Sequence, residues 1–476
     1  MFHIVLILIG GFLVYQLILA AWHLSAFHPL SHIPGPRLAA ATYLPEFYHD
    51  TIKYGRYTQQ ILKMHEKYGP LVRISPNEVH CADHSFADEI YAVGGRKRDK
   101  IEHSGFSTID HDLHRLRRAA LAKFFSRAQI GRLETEIQRL VQRLCDKLLR
   151  RRESGGQGGE PIEVTTAYSC FTSDAISGYC FGQSFGFLAQ ELSEYMSKDT
   201  ALLIQTIQTD IPHQIQQAGI VSKRPTVFGE LLASSLLPAP EKSPKRLADE
   251  AAALLAAGTE TANWTLSVIT FHLLDKPGLL AKLNEELRDA VDDPTRLPVW
   301  TALERLPYLG AVIREGLRLS YGASARTARV ATQEDLVYRG EWTPPDNSGG
   351  GGGGPVQLEY VIPRGYAVGM SSAISHHEES VWPDSHSFIP ERWLDEKMQR
   401  RTELERCQLA FSKGSRGCLG MQLAYCELHL CLAALALRVL PRMRLYETTE
   451  LDVRYDHDMF VPLTRDGSKG VRVLVE

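Results

Sequence analysis

Residues 411–420 have the sequence Phe411-Ser412-Lys413-Gly414-Ser415-Arg416-Gly417-Cys418-Leu419-Gly420. One cysteine therefore lies in a glycine-rich loop with two basic residues, and an apolar stretch, 421–440, follows with the length and composition of a helix. The first N–H groups of that helix, and the positive end of its dipole, favour a negatively charged thiolate. The glycines let the backbone turn tightly and approach a flat ligand. The loop predicts a thiolate that binds a metal.

The alternative is a buried, inert cysteine at the start of an ordinary helix, which a lone cysteine would favour. The whole loop, however, resembles the pattern Phe-x-x-Gly-x-Arg-x-Cys-x-Gly of the cytochrome P-450 family at every fixed position. This resemblance implies a mainly α-helical fold with small β-sheets and a bound haem b. It implies that Cys418 is the axial ligand of the haem iron and that Phe411 and Gly420 belong to the cofactor loop. Arg416 can form paired hydrogen bonds with a haem propionate.

Two other segments resemble family motifs that stabilise the core behind the haem. Glu315 and Arg318 are three residues apart in a helical pattern over 306–319, so they can pair on one helix face, as many solvated pairs also do. Arg392 lies in Pro390-Glu391-Arg392-Trp393, where the family has Phe at the last position. The resemblance implies that the three charges form one buried, mutually satisfied network.

A long helix is predicted from Pro244, with Ser243 as its N-cap, to the residue before Pro277. Its middle, Ala256-Ala257-Gly258-Thr259-Glu260-Thr261-Ala262, contains a glycine that suggests a kink or a nearby ligand. A polar turn in a long helix is the simpler interpretation. The segment resembles the family's oxygen-binding motif, except that Ala262 replaces the last hydroxyl residue. The resemblance implies that Glu260 and Thr261 handle protons.

Further basic residues resemble the family's propionate contacts. His114 stands where the family has Trp, while Arg118 and Arg329 match the family's arginines. A solvated helix face is one alternative for the basic helix. Another is a docking surface for an acidic redox partner, for which the candidates are Arg115, Arg117, Lys123 and Lys413.

The first 22 residues contain no Lys, Arg, Asp or Glu, and about 20 such residues can cross a bilayer core. A cleaved signal peptide is the alternative, but the apolar run is long and lacks a basic start. We therefore expect a transmembrane anchor over 1–22, a linker with a proline hinge over 23–36, and a catalytic domain over 37–476. The hinge resembles that of microsomal members, which implies a single-pass anchor in the endoplasmic reticulum membrane and a cytosolic catalytic domain.

Composition agrees with one large catalytic domain. The chain has 476 residues and a formal net charge of −3, which gives no indication of nucleic-acid binding. Its eight cysteines have neither the spacing of a zinc site nor that of a compact disulfide framework, so reduced thiols are expected. Helices are predicted at 57–68, 113–125, 128–151, 165–180, 244–275, 277–291, 307–319 and 419–439, and strands at 71–74, 78–82, 360–362 and 367–370.

Two departures from the family concern the surface. Glycine-rich stretches at 155–159 and 349–354 are predicted to be surface loops, and the second is an insertion remote from the chemistry. Compared with the family, residues 183–227 lack part of the helical roof over the substrate, which indicates either a compact roof or an imperfect gene model. Pocket-lining stretches are expected, by resemblance, at 102–110, 322–324 and 460–462.

The resemblance covers essentially the whole chain and extends to fungal microsomal members of secondary-metabolite pathways, including trichodiene-oxygenase-like enzymes. It implies a haem-thiolate monooxygenase that inserts one atom of O2 into an apolar small molecule of terpenoid or polyketide type. Electrons would come from NADPH through a cytochrome reductase, with cytochrome b5 as an optional donor, since no flavin or nicotinamide motif is visible. The alternatives are a haem-thiolate isomerase or dehydratase that needs no reductase, and a non-catalytic haem- or lipid-binding relative.

Overall fold

The computed structural model describes residues 2–100, 108–154, 160–190, 226–344 and 354–476, with only the backbone of 151–154. The predicted loop 155–159, most of the predicted insertion at 349–354 and most of the shortened roof lie outside these residues. The longer helices of the described residues are labelled in chain order: α1 Phe2–Leu24, α2 Tyr57–Tyr68, α3 His111–Ala122, α4 Arg127–Ser154, α5 Val164–Phe181, α6 Val227–Ala233, α7 Pro244–Asp275, α8 Pro277–Ala290, α9 Pro307–Ser320 and α10 Met421–Arg438.

The strands are short: β1 Leu71–Ser75, β2 Glu78–Cys81, β3 Arg98–Asp99, β4 Ile162–Glu163, β5 Arg329–Ala331, β6 Leu336–Trp342, β7 Val356–Ile362, β8 Ala367–Gly369, β9 Met443–Leu445, β10 His457–Met459, β11 Val461–Leu463 and β12 Arg472–Val475. They form a sheet of order β1-β2-β8-β5-β3, a sheet of order β4-β12-β9, and two hairpins, β6-β7 and β10-β11. The prediction of a mainly α fold with small sheets is confirmed.

The predicted helices match the observed ones to within three residues at each end. Strand β6 was not predicted; it pairs along its length with β7, from Leu336 opposite Ile362 to Trp342 opposite Val356. The glycine-rich insertion therefore lies in the connection between the two strands of a hairpin.

Helix α7 runs through the core and packs against α5, α9 and α10. It is continuous past Gly258, where a Cβ would lie 2.8 Å from Cγ1 of Ile176 on α5. The glycine thus permits close helix packing rather than a kink. Pro244 occupies the first turn as predicted, but the Ser243 side chain makes no capping hydrogen bond.

Helix α1 has no buried residue and a mean hydropathy of 2.6, so its length and composition would let it cross a membrane. A second apolar helix, at 421–442, passes the same test with a mean hydropathy of 1.7, but 78% of it is buried and it belongs to the core. Leu30 and Ile33, in the predicted linker, are buried against the β1-β2-β8-β5-β3 sheet.

The carboxylate of Glu315 is fully buried and accepts five hydrogen bonds. Arg318 donates two of them, at 2.9 and 2.8 Å, and Arg392 donates one at 3.1 Å. The Ile389 N–H and the Trp393 indole N–H donate the others, each at 2.9 Å. A buried charge is tolerated when it is paired and hydrogen-bonded in this way. The structure therefore brings the three predicted charges into one network.

His376 connects this network to the cysteine loop. Its Nδ1–H donates to the Arg318 carbonyl at 2.7 Å, and its Nε2 accepts from the Leu409 N–H at 2.8 Å. Burial lowers the pKa of His376 to about 3, so the ring is neutral and can hold one donor and one acceptor. Arg318 also donates to the His376 carbonyl at 2.9 Å.

We predict that Trp393→Phe destabilises the protein more than Trp382→Phe. Both indoles are fully buried, but Trp393 donates to a carboxylate, whereas Trp382 donates to the Ser375 carbonyl at 3.2 Å. A hydrogen bond to a charged group contributes about 1.5–3 kcal/mol, against about 0.5–1.5 kcal/mol for a neutral one. Urea unfolding followed by circular dichroism measures the difference. Equal losses of unfolding free energy in the two variants would show that the Trp393 hydrogen bond contributes no stability beyond that of the packed indole.

Candidate active site

A cavity of about 360 Å³ lies between the cysteine loop and the middle of α7. Most of the predicted site residues line it, namely His114, Arg118, Thr261, Arg329, Phe411, Arg416, Cys418 and Gly420. Glu260 is solvent-exposed and is not among the lining residues. The structure thus gathers segments that are more than a hundred residues apart in the sequence around one space.

The Cys418 side chain faces this cavity. Its N–H donates to the Phe411 carbonyl at 2.8 Å, which closes the loop, and α10 begins three residues later at Met421. Burial raises the pKa of the Cys418 thiol, while the Gly420 N–H and the charge of Arg118 act in the opposite direction. Gly414 has a φ of 73° and its Cβ position lies 2.1 Å from the Tyr91 carbonyl oxygen, so only glycine fits there. The thiol is thus held in a fixed loop that opens on the cavity.

Basic side chains line one part of the cavity wall. Arg416 donates to the backbone carbonyls of Thr108 at 2.6 Å and Ile109 at 2.8 Å. Arg118 donates to the Gly417 carbonyl at 2.8 Å, and Arg329 to the Thr327 carbonyl at 2.9 Å. These contacts orient the guanidinium groups without neutralising them.

The cations on this wall depress one another's pKa. Burial, together with the neighbouring charge of Arg329, lowers the pKa of Arg416 to about 10. The pKa of His114 falls to about 3 because of burial and of the charges of Arg416 and Arg118. Among the residues that the structure describes, no carboxylate pairs with His114, Arg118, Arg329 or Arg416. Arg329 and Arg416 are buried, and buried cations that form no ion pair favour an anionic ligand.

This donor set fits haem. A cysteine side chain that can supply a thiolate lines the cavity wall, and the cations that form no ion pair match a cofactor that bears two carboxylates. His114, Arg118, Arg329 and Arg416 would hold those carboxylates, and Cys418 would bind the metal.

Lys100 also lines the cavity and was not predicted. Burial, together with the charges of Arg329 and Arg416, lowers the pKa of its amine to about 8. Lys100 lies just after the short strand β3, in a stretch without any motif. No local sequence signal distinguishes Lys100 from a surface lysine.

Thr261 is the member of the predicted proton-handling pair that reaches the cavity. Its hydroxyl donates to the Ala257 carbonyl at 3.0 Å. Thr265, one turn later, also lines the cavity, and its hydroxyl lies 2.8 Å from that of Ser320. A second hydroxyl therefore lines the cavity, although Ala262 replaces the last hydroxyl residue of the family motif.

The expected pocket stretches are partly represented. Gly322, Ala323 and Phe460 line the cavity, whereas most of 102–110 lies outside the described residues. Phe411 packs against Tyr425 of α10, with ring centroids 5.2 Å apart.

Glu427, on α10, is a buried carboxyl group on the cavity wall that the sequence analysis missed. No described residue hydrogen-bonds its Oε1. Burial raises its pKa well above the ordinary value. Burial therefore favours the protonated, neutral form of this group.

Comparisons with known proteins agree with this site. A family model described as "Cytochrome P450" matches residues 42–221, 230–347 and 355–439. The chain is 39% identical to the cytochrome P450 monooxygenase ppzE of Metarhizium majus, over 85% of this chain and 94% of that protein. It is 35% identical to the N-acetyltryptophan 6-hydroxylase ivoC of Emericella nidulans, over 98% of this chain and 96% of the relative. It is also 35% identical to the tryptophan 6-hydroxylase fscE of Fusarium equiseti, over 99% of this chain and 98% of that protein.

We predict that Glu427→Gln becomes stabilising relative to the wild type as pH rises. Because the pKa of Glu427 is raised in the folded protein, its carboxyl group loses its proton at a lower pH in the unfolded chain than in the folded one. Between the unfolded and folded pKa values the wild type therefore loses stability, by about 1.4 kcal/mol per pH unit. A glutamine side chain does not titrate, so the Glu427→Gln variant does not lose stability in this way as pH rises.

The measurement is the difference in unfolding free energy between variant and wild type from pH 5 to pH 8. The exposed Glu396→Gln is the control and should show a nearly constant difference. A flat difference for Glu427→Gln as well would mean that Glu427 is ionised in the folded protein.

Proposed function

Because the chain belongs to the cytochrome P450 family and is a P450 monooxygenase, we propose that it oxygenates an apolar small molecule of fungal secondary metabolism. The observation that supports this most is one cavity with Cys418 on one wall, Thr261 on the other and buried, unpaired cations beside them. The substrate class proposed is terpenoid or polyketide-like. The ivoC and fscE relatives are named as hydroxylases of tryptophan compounds.

When bound, haem supplies the redox centre that activates O2. Cys418 would bind its iron, and the Gly420 N–H and Arg118 would stabilise the thiolate. The neutral His114 and the cations Arg118, Arg329 and Arg416 would hold the propionates and fix the orientation of the cofactor. Apolar wall residues such as Ile176, Leu254 and Phe460 exclude water and leave room for an apolar substrate.

Thr261 is the proposed proton donor at the reacting side of the cavity. Its hydroxyl lines the cavity, whereas Glu260 is exposed to solvent one residue earlier. Glu260 would take up a proton from solvent, and Thr261 would pass it inward. General acid–base catalysis needs a donor within hydrogen-bonding reach, and Thr261 is placed for that role on a rigid helix.

The proposed location is the endoplasmic reticulum membrane, with 1–22 as a single-pass anchor, 23–36 as linker and hinge, and 37–476 as the cytosolic catalytic domain. The apolar α1, which has no buried residue, supports the anchor. Apolar side chains shortly after the hinge, including Leu38, Leu44, Phe47 and Ile52, are also more than half exposed. Water disfavours such a patch, and a membrane surface would cover it.

Electrons are proposed to come from NADPH through a separate cytochrome reductase, with cytochrome b5 as an optional donor. Arg115 is exposed on α3 and can contribute to docking. Arg117 instead pairs with Glu241 through two hydrogen bonds of 2.7 Å, and Lys413 pairs with Asp88 at 2.9 Å. The relatives named above are monooxygenases and hydroxylases, so they do not support the isomerase or non-catalytic alternatives.

We predict that Cys418→Ala abolishes the thiolate-type Soret band of the reduced, carbon-monoxide-bound protein, because the sulfur ligand is lost. Cys426→Ala, on the helix α10 that follows the loop and buried outside the cavity, should leave the band unchanged. Absorption spectroscopy of the two purified variants gives the answer. A normal band in Cys418→Ala would refute the ligand assignment.

Thr261→Ala should retain haem but convert most consumed NADPH into peroxide. General acid–base groups contribute about 100-fold or more, so product per NADPH should fall by at least about tenfold. NADPH, peroxide and product are measured together in the reductase-coupled system. Thr259→Ala is the control, since this hydroxyl bonds Ser173 at 3.2 Å and does not line the cavity. If coupling survives in Thr261→Ala, the residue is only structural.

A further inference from the structure

The backbone of Thr261 is held by a hydroxyl one turn later in α7. The Thr265 hydroxyl donates to the Thr261 carbonyl at 2.9 Å. In an α-helix this carbonyl is also the acceptor of the Thr265 N–H, so it receives two donors from one residue. A hydroxyl that bonds the carbonyl four residues earlier changes the local geometry of the helical turn. Thr265 therefore acts directly on the residue that is proposed to handle protons.

Thr265 is itself held from a second helix. Its hydroxyl oxygen lies 2.8 Å from that of Ser320, the last residue of α9. The other acceptor near the Ser320 hydroxyl is the Leu317 carbonyl, at 3.4 Å. The arrangement with the two shorter hydrogen bonds has Ser320 donating to Thr265 and Thr265 donating to the Thr261 carbonyl. Both hydroxyl residues are buried, so bulk water does not compete for them.

Close packing fixes the distance between α7 and α9 at this point. A Cβ on Gly316 of α9 would lie 2.3 Å from Cγ1 of Ile269 and 3.7 Å from Cγ2 of Thr265. The absence of a side chain on Gly316 therefore lets the two helices approach closely beside Thr265. The same helix α9 carries Glu315 and Arg318 of the buried charge network. Ser320 thus extends from a rigid part of the core.

The hydrogen bonds of Thr265 distinguish between two roles for this residue. Thr265 lines the cavity, so a direct donor to a bound molecule is one interpretation. Its single proton, however, is engaged by the Thr261 carbonyl, and its oxygen accepts from Ser320. The hydroxyl of Thr261 also lines the cavity and bonds only a carbonyl of its own helix, that of Ala257. The contacts therefore favour positioning by Thr265 and proton donation by Thr261.

We propose, on the basis of the proton transfer proposed for Thr261, that Ser320 and Thr265 are positioning residues for the Thr261 hydroxyl. Ser320 holds the Thr265 hydroxyl, and Thr265 holds the Thr261 carbonyl. This chain of hydrogen bonds keeps the Thr261 hydroxyl at one place on the cavity wall. A donor that is oriented in advance need not reorganise during the reaction.

The test uses carbon monoxide as the probe, in the reduced, haem-loaded, full-length protein. Infrared spectroscopy measures the C–O stretching frequency, which falls when a hydroxyl polarises the bound ligand. Thr261→Val removes the hydroxyl and should therefore raise the frequency. Thr265→Val and Ser320→Ala should each broaden the band and move its centre toward that of Thr261→Val, because the Thr261 hydroxyl then takes more than one orientation.

Three further variants separate positioning from a general structural defect. Thr265→Ser keeps the hydroxyl and should keep the wild-type band. Thr270→Val is the matched control on α7, since its buried hydroxyl lies 2.8 Å from that of Tyr168 and outside the cavity lining. It should also keep the wild-type band. The double variant Thr261→Val/Thr265→Val should match Thr261→Val alone, because effects that act through one residue do not add.

The possible results distinguish failure of the positioning role from failure of the proposed function. A wild-type band in Thr265→Val or Ser320→Ala, together with a shifted band in Thr261→Val, would overturn the positioning role alone. A further shift in the double variant would overturn it too, because Thr265 would then act on the ligand directly. An unchanged band in Thr261→Val would overturn the proposed role of Thr261, and the positioning role with it.

Discussion

A carboxylate without solvent contact must have its charge and lone pairs satisfied by the protein, and Glu315 imposes this constraint on the fold. Arg318 comes from the same helix, but Arg392, Trp393 and the Ile389 N–H come from a segment more than seventy residues later. Removing one partner from such a network leaves an uncompensated charge and is strongly destabilising. The helix and the later segment are therefore tied together.

The same network supports the cysteine loop. Arg318 and His376 exchange backbone and side-chain hydrogen bonds, and the neutral His376 ring accepts from the Leu409 N–H just before the loop. The position of Cys418 thus depends on a charged pair on another helix. The opposite wall, α7, is held by close packing at Gly258. Two rigid supports therefore set the width of the cavity between them.

The surroundings of Cys418 suit a bound anionic group. Its cavity is lined by Arg118, Arg329 and Arg416, which form no ion pair with a described carboxylate. Such a setting suits a permanent metal ligand whose cofactor brings its own negative charge.

The helices, the cysteine loop and the Glu315–Arg318 pair could be predicted from sequence because each depends on residues close together in the chain. Helical periodicity, proline and glycine punctuation, and a ten-residue motif are local signals. Lys100, His376 and Glu427 lie outside any such pattern. Only the tertiary structure decided these roles, and only it turned Arg117 toward Glu241. Burial and pairing of a charged side chain depend on segments distant in sequence, whose approach no local pattern encodes.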